Sequence, residues 1–153
     1  MSVPAPGLQL GLDLTEVDRI AAVLERHGER FLARVFRPGE ILRSRRHPRA
    51  FAEHVAGRFA AKEAAMKALG LGWRGLAFRD IEIGRDARGK PRLSLHGAAL
   101  DRAHALGVLQ TEVSITHGRD IAAAVVALVT EGGSREPRTG NREPGPKAGS
   151  VHG

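Results

Sequence analysis

RFAAKEAAMKALG, residues Arg58–Gly70, decides how the rest of this chain is read. It is dominated by good helix formers, no proline interrupts it, and Gly70 suits the position just past a helix C-terminus. Extended backward, the pattern predicts one long helix from about Arg49 to Leu69. Ala56, Ala60, Ala64 and Ala68 form an i, i+4 stripe that allows another element to pack closely, with Val55 and Phe59 adding bulk beside it. Glu63 points about 100° away from Lys62 and shares its face with Phe59 and Lys67. The simplest reading is a surface Glu63–Lys67 pair, contributing about 0.3–0.5 kcal/mol. The alternative is a negative charge held for a purpose among fixed positive ones.

Working outward, LQLGLDL (Leu8–Leu14) alternates leucine with other residues and predicts a strand. Thr15 is placed to cap the helix that follows, with Asp18 three positions on, and Val17, Ile20, Ala21 and Leu24 give that helix a buried seam. Gly28 ends or kinks it. RFLARVF and PGEILRSRR predict short helical pieces, with Pro38 at a helix start. Beyond the long helix, strands over Ala77–Ile83 and Arg92–Leu95 flank the turn Asp86–Lys90, and a helix runs from Gly97 to Leu106. TEVSITH and DIAAAVVALV predict a closing pair of strands around the turn His117–Arg119. Helices set between hairpin-connected strands give an α+β domain, a mostly antiparallel sheet covered on one face chiefly by the long helix. The folded unit is residues 6–130. Residues 131–153, rich in Gly, Pro and charge with little to bury, predict a disordered tail.

Composition narrows the function classes. The 153 residues suit one domain. No cysteine is present, which excludes disulfides, thiolate–zinc sites and thiol nucleophiles. No stretch is apolar for long enough to span a membrane, and the N-terminus does not read as a signal peptide, so a cytoplasmic protein with no membrane association is expected. The net charge of +7 favours anionic partners: nucleic acid, a phosphorylated small molecule or an acidic protein. With one Trp and no Tyr, the chain is poor in the aromatics that single-stranded nucleic acid stacks on.

Three residues are candidates for chemistry. Glu63 is the first. Asp13 ends an apolar strand just before a helix, and either caps that helix or carries a site. A strand-end and a helix carboxylate brought together would suit Mg²⁺, which takes one or two protein carboxylates and keeps water and phosphate oxygens. His117, at a turn between strands, is the third; a histidine there is either structural, merely exposed or part of a site.

Their combination is specific. GLDLTEVDRI (Gly11–Ile20), GRFAAKEAAMKALG (Gly57–Gly70) and VSITHGRDIAAAVV (Val113–Val126), with FRDIEI (Phe78–Ile83) and GKP (Gly89–Pro91), resemble the holo-[acyl-carrier-protein] synthase family of short 4'-phosphopantetheinyl transferases over residues 8–130. The resemblance implies the α+β fold of that family. It also implies an enzyme that moves 4'-phosphopantetheine from coenzyme A to a serine of apo acyl carrier protein, releasing adenosine 3',5'-bisphosphate, in fatty acid or polyketide biosynthesis. Asp13 and Glu63 would hold Mg²⁺ at the pyrophosphate, and Lys62 and Lys67 would lie near the phosphates. Asp13, Lys62 and Glu63 form the implied catalytic set. Arg58, Gly70, Lys90, Pro91 and His117 match segments lining the coenzyme A site. The serine proton would pass to Glu63, directly or, more in keeping with a metal ligand, through a water. Longer transferases of the superfamily join two such units in one chain, whereas this chain has a single copy; the resemblance implies a homotrimer with active sites between subunits.

One further surface is legible from the residues alone. Opposite the buried seam of the first helix lie Arg19, Val23, Arg26 and Arg30, a basic stripe around one apolar residue. It is either a plain solvated face or a dock for an acidic amphipathic helix, and acyl carrier proteins are acidic. Two rival readings use the charge differently: a small basic nucleic-acid-binding protein, and a non-catalytic module that binds an acidic carrier without consuming coenzyme A.

Overall fold

The computed structural model describes residues 5–72 and 75–132. The chain runs β1 (Gly7–Glu16), α1 (Val17–Val35), α2 (Pro48–Ala68), a 3-10 turn (Phe78–Asp80), β2 (Ile81–Arg85), β3 (Pro91–Leu95), α3 (Gly97–Ala105), β4 (Val108–His117) and β5 (Ile121–Thr130). All strand pairing is antiparallel, in a three-stranded sheet of order β1-β5-β4 and a separate β2–β3 ribbon. The α+β class is as expected, but the ribbon packs beside β4 without extending its sheet. Of the tail expected over 131–153, residues 133–153 lie outside the described residues.

Helix α2 is the main cover of the three-stranded sheet, as its alanine stripe predicts. Ala56, Ala60, Ala64 and Ala68 are all buried, and so are Ala122, Ala124, Val126 and Leu128 of β5 beneath. The closest approach is to β1. A Cβ on Gly11 would stand 1.8 Å from the Ala64 carbonyl oxygen and 2.8 Å from the Ala68 nitrogen. Only glycine lets strand and helix come so near, and this contact sets the height of Asp13 below α2. Gly11→Ala must push β1 off the helix; we expect a loss of about 3 kcal/mol or more in urea denaturation. A cost below about 0.5 kcal/mol, the scale of a neutral surface change, would contradict the contact.

Several local expectations are corrected. Thr15 does not cap α1: it is the last inward-facing residue of β1, and Glu16 occupies the N-cap position without a side-chain bond. The helix start is tied instead by Val17 N–H donating to the Asp120 carbonyl at 2.9 Å. Gly28 kinks α1 (φ 37°, ψ −108°), and the helix continues through RFLARV to Val35. PGEILRSRR forms turns rather than a helix, because Glu40 is drawn into the core. The strand expected from Ala77 begins as a 3-10 turn and becomes extended only at Ile81. The leucines of β1 face outward: Leu8, Leu10, Leu12 and Leu14 are 60–65% exposed, while Gly11, Asp13 and Thr15 face α2.

Candidate active site

Strand alternation puts Asp13 beneath α2 and, at 8% exposure, almost out of solvent. Its Oδ2 accepts a bond from Thr15 Oγ1 at 3.2 Å, and its Oδ1 pairs with Lys67 Nζ at 3.0 Å. The same ammonium donates to the Leu12 carbonyl at 2.9 Å. Lys67 therefore serves Asp13, and the simple Glu63–Lys67 surface pair is not what the fold builds. Asp13 is no helix cap either.

Glu63 meets Asp13 from above. Burial pushes the Glu63 carboxyl up to about 7, and the Asp13 charge and a hydrogen bond with Asp13 push it the same way, while Arg19 and Lys67 pull it back. Two carboxylates from a strand and a helix thus converge, and burial together with the Asp13 charge disfavours ionisation of Glu63. Among the described residues no group of three or more His, Asp or Glu side chains offers a fuller metal cage. A pair with open positions fits a hard cation that retains water or phosphate oxygens.

Beside the pair, an apolar cleft of about 220 Å³ opens between α1 and α2. Phe59, one turn before Glu63 on the same face of α2, stacks on Phe78 at 5.3 Å and meets Phe31 at 6.0 Å. Arg19 and Val23 of the basic stripe also line this cleft. Arg19, Arg26 and Arg30 are exposed and Val23 half-buried, so the stripe leads from the α1 surface toward Glu63.

Other expected site residues stand elsewhere. Lys62 is 0% exposed and in the core. Its Nζ pairs with Glu40 Oε1 at 2.8 Å and donates to the carbonyls of Val35 at 2.8 Å, Phe78 at 3.1 Å and Ile81. It also sits 4.9 Å from the centre of the Phe36 ring. This geometry corrects the expectation that Lys62 reaches a phosphate. Arg58 is buried on the flank of α2 about 140° round from Glu63. His117, at the end of β4, places Nδ1 3.8 Å from Glu53 Oε2. Lys90 pairs with Glu112 at 3.0 Å and, with Pro91, borders a cleft on the outward face of the sheet near Ser114 and Val125. Gly70 takes the left-handed conformation (φ 70°) past the end of α2. One chain therefore unites Asp13, Glu63 and Lys67, and leaves Arg58, His117, Lys90 and Pro91 apart from them.

Glu40 was not legible as a functional residue. Its Oε1 accepts from Arg37 N at 2.7 Å as well as Lys62, and its Oε2 accepts from Ile83 N at 3.0 Å. A lone Glu in a loop carries no periodic signal for such a role.

The model of the 4'-phosphopantetheinyl transferase superfamily matches residues 9–126. A holo-[acyl-carrier-protein] synthase from Solidesulfovibrio magneticus is 55% identical over 120 residues, spanning 78% of this chain and 95% of that one. The chain belongs to the holo-[acyl-carrier-protein] synthase family. Solved structures agree on the fold. An acyl carrier protein synthase from Plasmodium yoelii, with ADP bound, matches at a TM-score of 0.74 and 31% identity, over 82% of this chain and 98% of that one. The Helicobacter pylori holo-[acyl-carrier-protein] synthase in complex with coenzyme A matches at 0.67 and 30% identity, over 78% and 98%. The family match spans the Asp13 strand, the Glu63 helix and the His117 turn together, so the motifs of all three elements fall inside one shared fold.

Proposed function

We propose that this protein transfers the 4'-phosphopantetheine of coenzyme A to a serine of apo acyl carrier protein, as a Mg²⁺-dependent holo-[acyl-carrier-protein] synthase of fatty acid biosynthesis. The observation that carries the reading is the Asp13–Glu63 pair: two converging carboxylates in the family's fold, with Lys67 alongside. Asp13 and Glu63 hold the cation, and Lys67 and Thr15 fix the orientation of Asp13. When bound, Mg²⁺ neutralises charge on the pyrophosphate oxygens. The serine hydroxyl oxygen attacks the β-phosphorus, and the bond from that phosphorus to the bridging oxygen breaks, releasing adenosine 3',5'-bisphosphate. Glu63 takes the serine proton through a water in the site. Positioning and charge stabilisation supply most of the acceleration in reactions of this type.

Two surfaces support the partners. The outward face of the sheet carries Leu8, Leu10, Leu12, Leu14, Leu109 and Val125, an apolar area that water covers poorly. We read it as the contact of a homotrimer. That assembly also answers why one chain leaves Arg58, His117, Lys90 and Pro91 apart from Asp13 and Glu63: a neighbour completes the coenzyme A site. The stripe Arg19–Val23–Arg26 docks the acidic carrier and directs its serine along the Phe59 cleft. Arg19→Glu or Arg26→Glu should raise KM for the carrier about tenfold, the scale of like-charge repulsion at a docking face. The Kd for coenzyme A should stay unchanged; a proportionate loss of coenzyme A affinity would contradict the docking role. Among the described residues no helix is long and apolar enough to cross a membrane. The nucleic-acid reading draws no support from the relatives. Release of adenosine 3',5'-bisphosphate from coenzyme A only when apo carrier is present tests the proposal. Release without carrier, or none with it, would count against it.

A further inference from the structure

The two flanks of α1 face different spaces. One lines the Phe59 cleft, and the other, with the N-terminal part of α2, borders an apolar groove of about 530 Å³. Its walls are Ala21, Leu24 and Leu32 of α1 and Pro48, Phe51 and Ala52 of α2. Gly28 also borders it, and a Cβ there would meet nothing within 4 Å, so the kink in α1 leaves the space open. The volume falls in the range of about 300–1,000 Å³ that small-molecule sites occupy. Neither Asp13 nor Glu63 lines the groove, so it stands apart from the proposed reaction.

The rim on the α2 side is basic. Arg45 sits 5.4 Å from the centre of the Phe51 ring, so its guanidinium rests against the apolar wall. Its partner Glu29 is an exposed side chain, and a surface pair of that kind costs little to exchange. Arg49 is more engaged, by Asp18, Asp120 and the Arg119 carbonyl, which leaves Arg45 the freer cation. Residues 41–49, which carry both, hold four arginines and no carboxylate. The acid that borders the groove is Glu25. An apolar body with a single negative charge at one end matches this layout. A doubly charged phosphate head would meet Glu25 with more repulsion, whereas a carboxylate accepts both arms of one arginine fork.

We infer that this groove binds a single-chain aliphatic carboxylate, with the alkyl chain against Leu24, Leu32 and Phe51 and the carboxylate on the Arg45 guanidinium. The chain supplies affinity by burial, about fourfold for each methylene taken out of water. Arg45 selects the sign of the head group, because a cationic amphiphile of the same length would set its charge against Arg45 and Arg49. The site neither needs nor uses coenzyme A, so its test is independent of the proposed function.

The test titrates dodecanoate, decanoate and dodecyltrimethylammonium into the full chain by calorimetry, below their micelle concentrations. Dodecanoate should bind one per chain, roughly tenfold more tightly than decanoate, which buries two fewer methylenes. It should also bind at least about tenfold more tightly than the cation. Arg45→Gln, at an exposed position, should weaken dodecanoate about tenfold. Ala21→Phe, which fills the groove from a half-buried position, should abolish binding. Circular dichroism checks that both variants fold, and Arg45→Gln decides alone where Ala21→Phe does not. Absence of saturable binding, equal binding of anion and cation, or equal affinity in the wild type and Arg45→Gln overturns the site. So does a change of assembly state in Ala21→Phe in place of lost binding, which would mark the groove as a contact between copies of this chain.

Discussion

Glu63→Gln should lose at least about a hundredfold of transferase activity at saturating Mg²⁺, the scale of removing a group that places charge at a transition state. The variant should nonetheless be no less stable than the wild type. Glu63 is raised from 4.5 to about 7 in the folded chain, so the native protein holds that proton more tightly than the unfolded one. Its contribution to stability is fully present below about pH 4.5 and is lost as pH rises through about 7. In EDTA the wild type therefore loses Tm between about pH 4.5 and 7 from this group, whereas Glu63→Gln does not, the window being set by the two pKa values. A comparison of Tm against pH for the two proteins, beside their activities, separates loss of chemistry from loss of fold. Full activity in Glu63→Gln would remove the basis for placing the metal and the proton at this pair.

Lys62→Met should cost about 3–5 kcal/mol of stability, the typical effect of leaving a buried charge without its partner. The Glu40 carboxylate would remain in the core, and three backbone carbonyls would lose the ammonium that now satisfies them. Adding Glu40→Gln should recover part of that loss, since the unpaired charge is gone. Lys62 is walled off from solvent, so any activity deficit should track the folded fraction and vanish where the variant is fully folded. Denaturation curves with kcat measured at low temperature check both points. A kcat loss of a hundredfold or more in fully folded Lys62→Met, the size of a lost transition-state contact, would return Lys62 to the catalytic set.

These residues also show what the sequence could reveal. The long helix was legible because its pattern is local: alanines at i, i+4, no proline and a glycine stop. Asp13 and Glu63 were singled out as a pair by the family resemblance that the three motifs carry, and the register of β1 under α2 brings them together. The role of Lys62 was not legible, because the same KEA segment serves whether its lysine turns out or in. That choice depends on Glu40, 22 residues earlier in a loop without periodicity. The groove beside Gly28 was hidden for a similar reason: a cavity exists only once its walls are in place. The outward leucines of β1 show the limit of alternation, which predicts a strand without saying which face another surface covers.

The most direct measurement of the central claim is the intact mass of apo acyl carrier protein after incubation with this protein, coenzyme A and Mg²⁺. The carrier should gain the mass of one phosphopantetheine at its serine, in amounts equal to the adenosine 3',5'-bisphosphate released, and EDTA should abolish both. An unmodified carrier in the presence of folded protein, coenzyme A and Mg²⁺ would contradict the account.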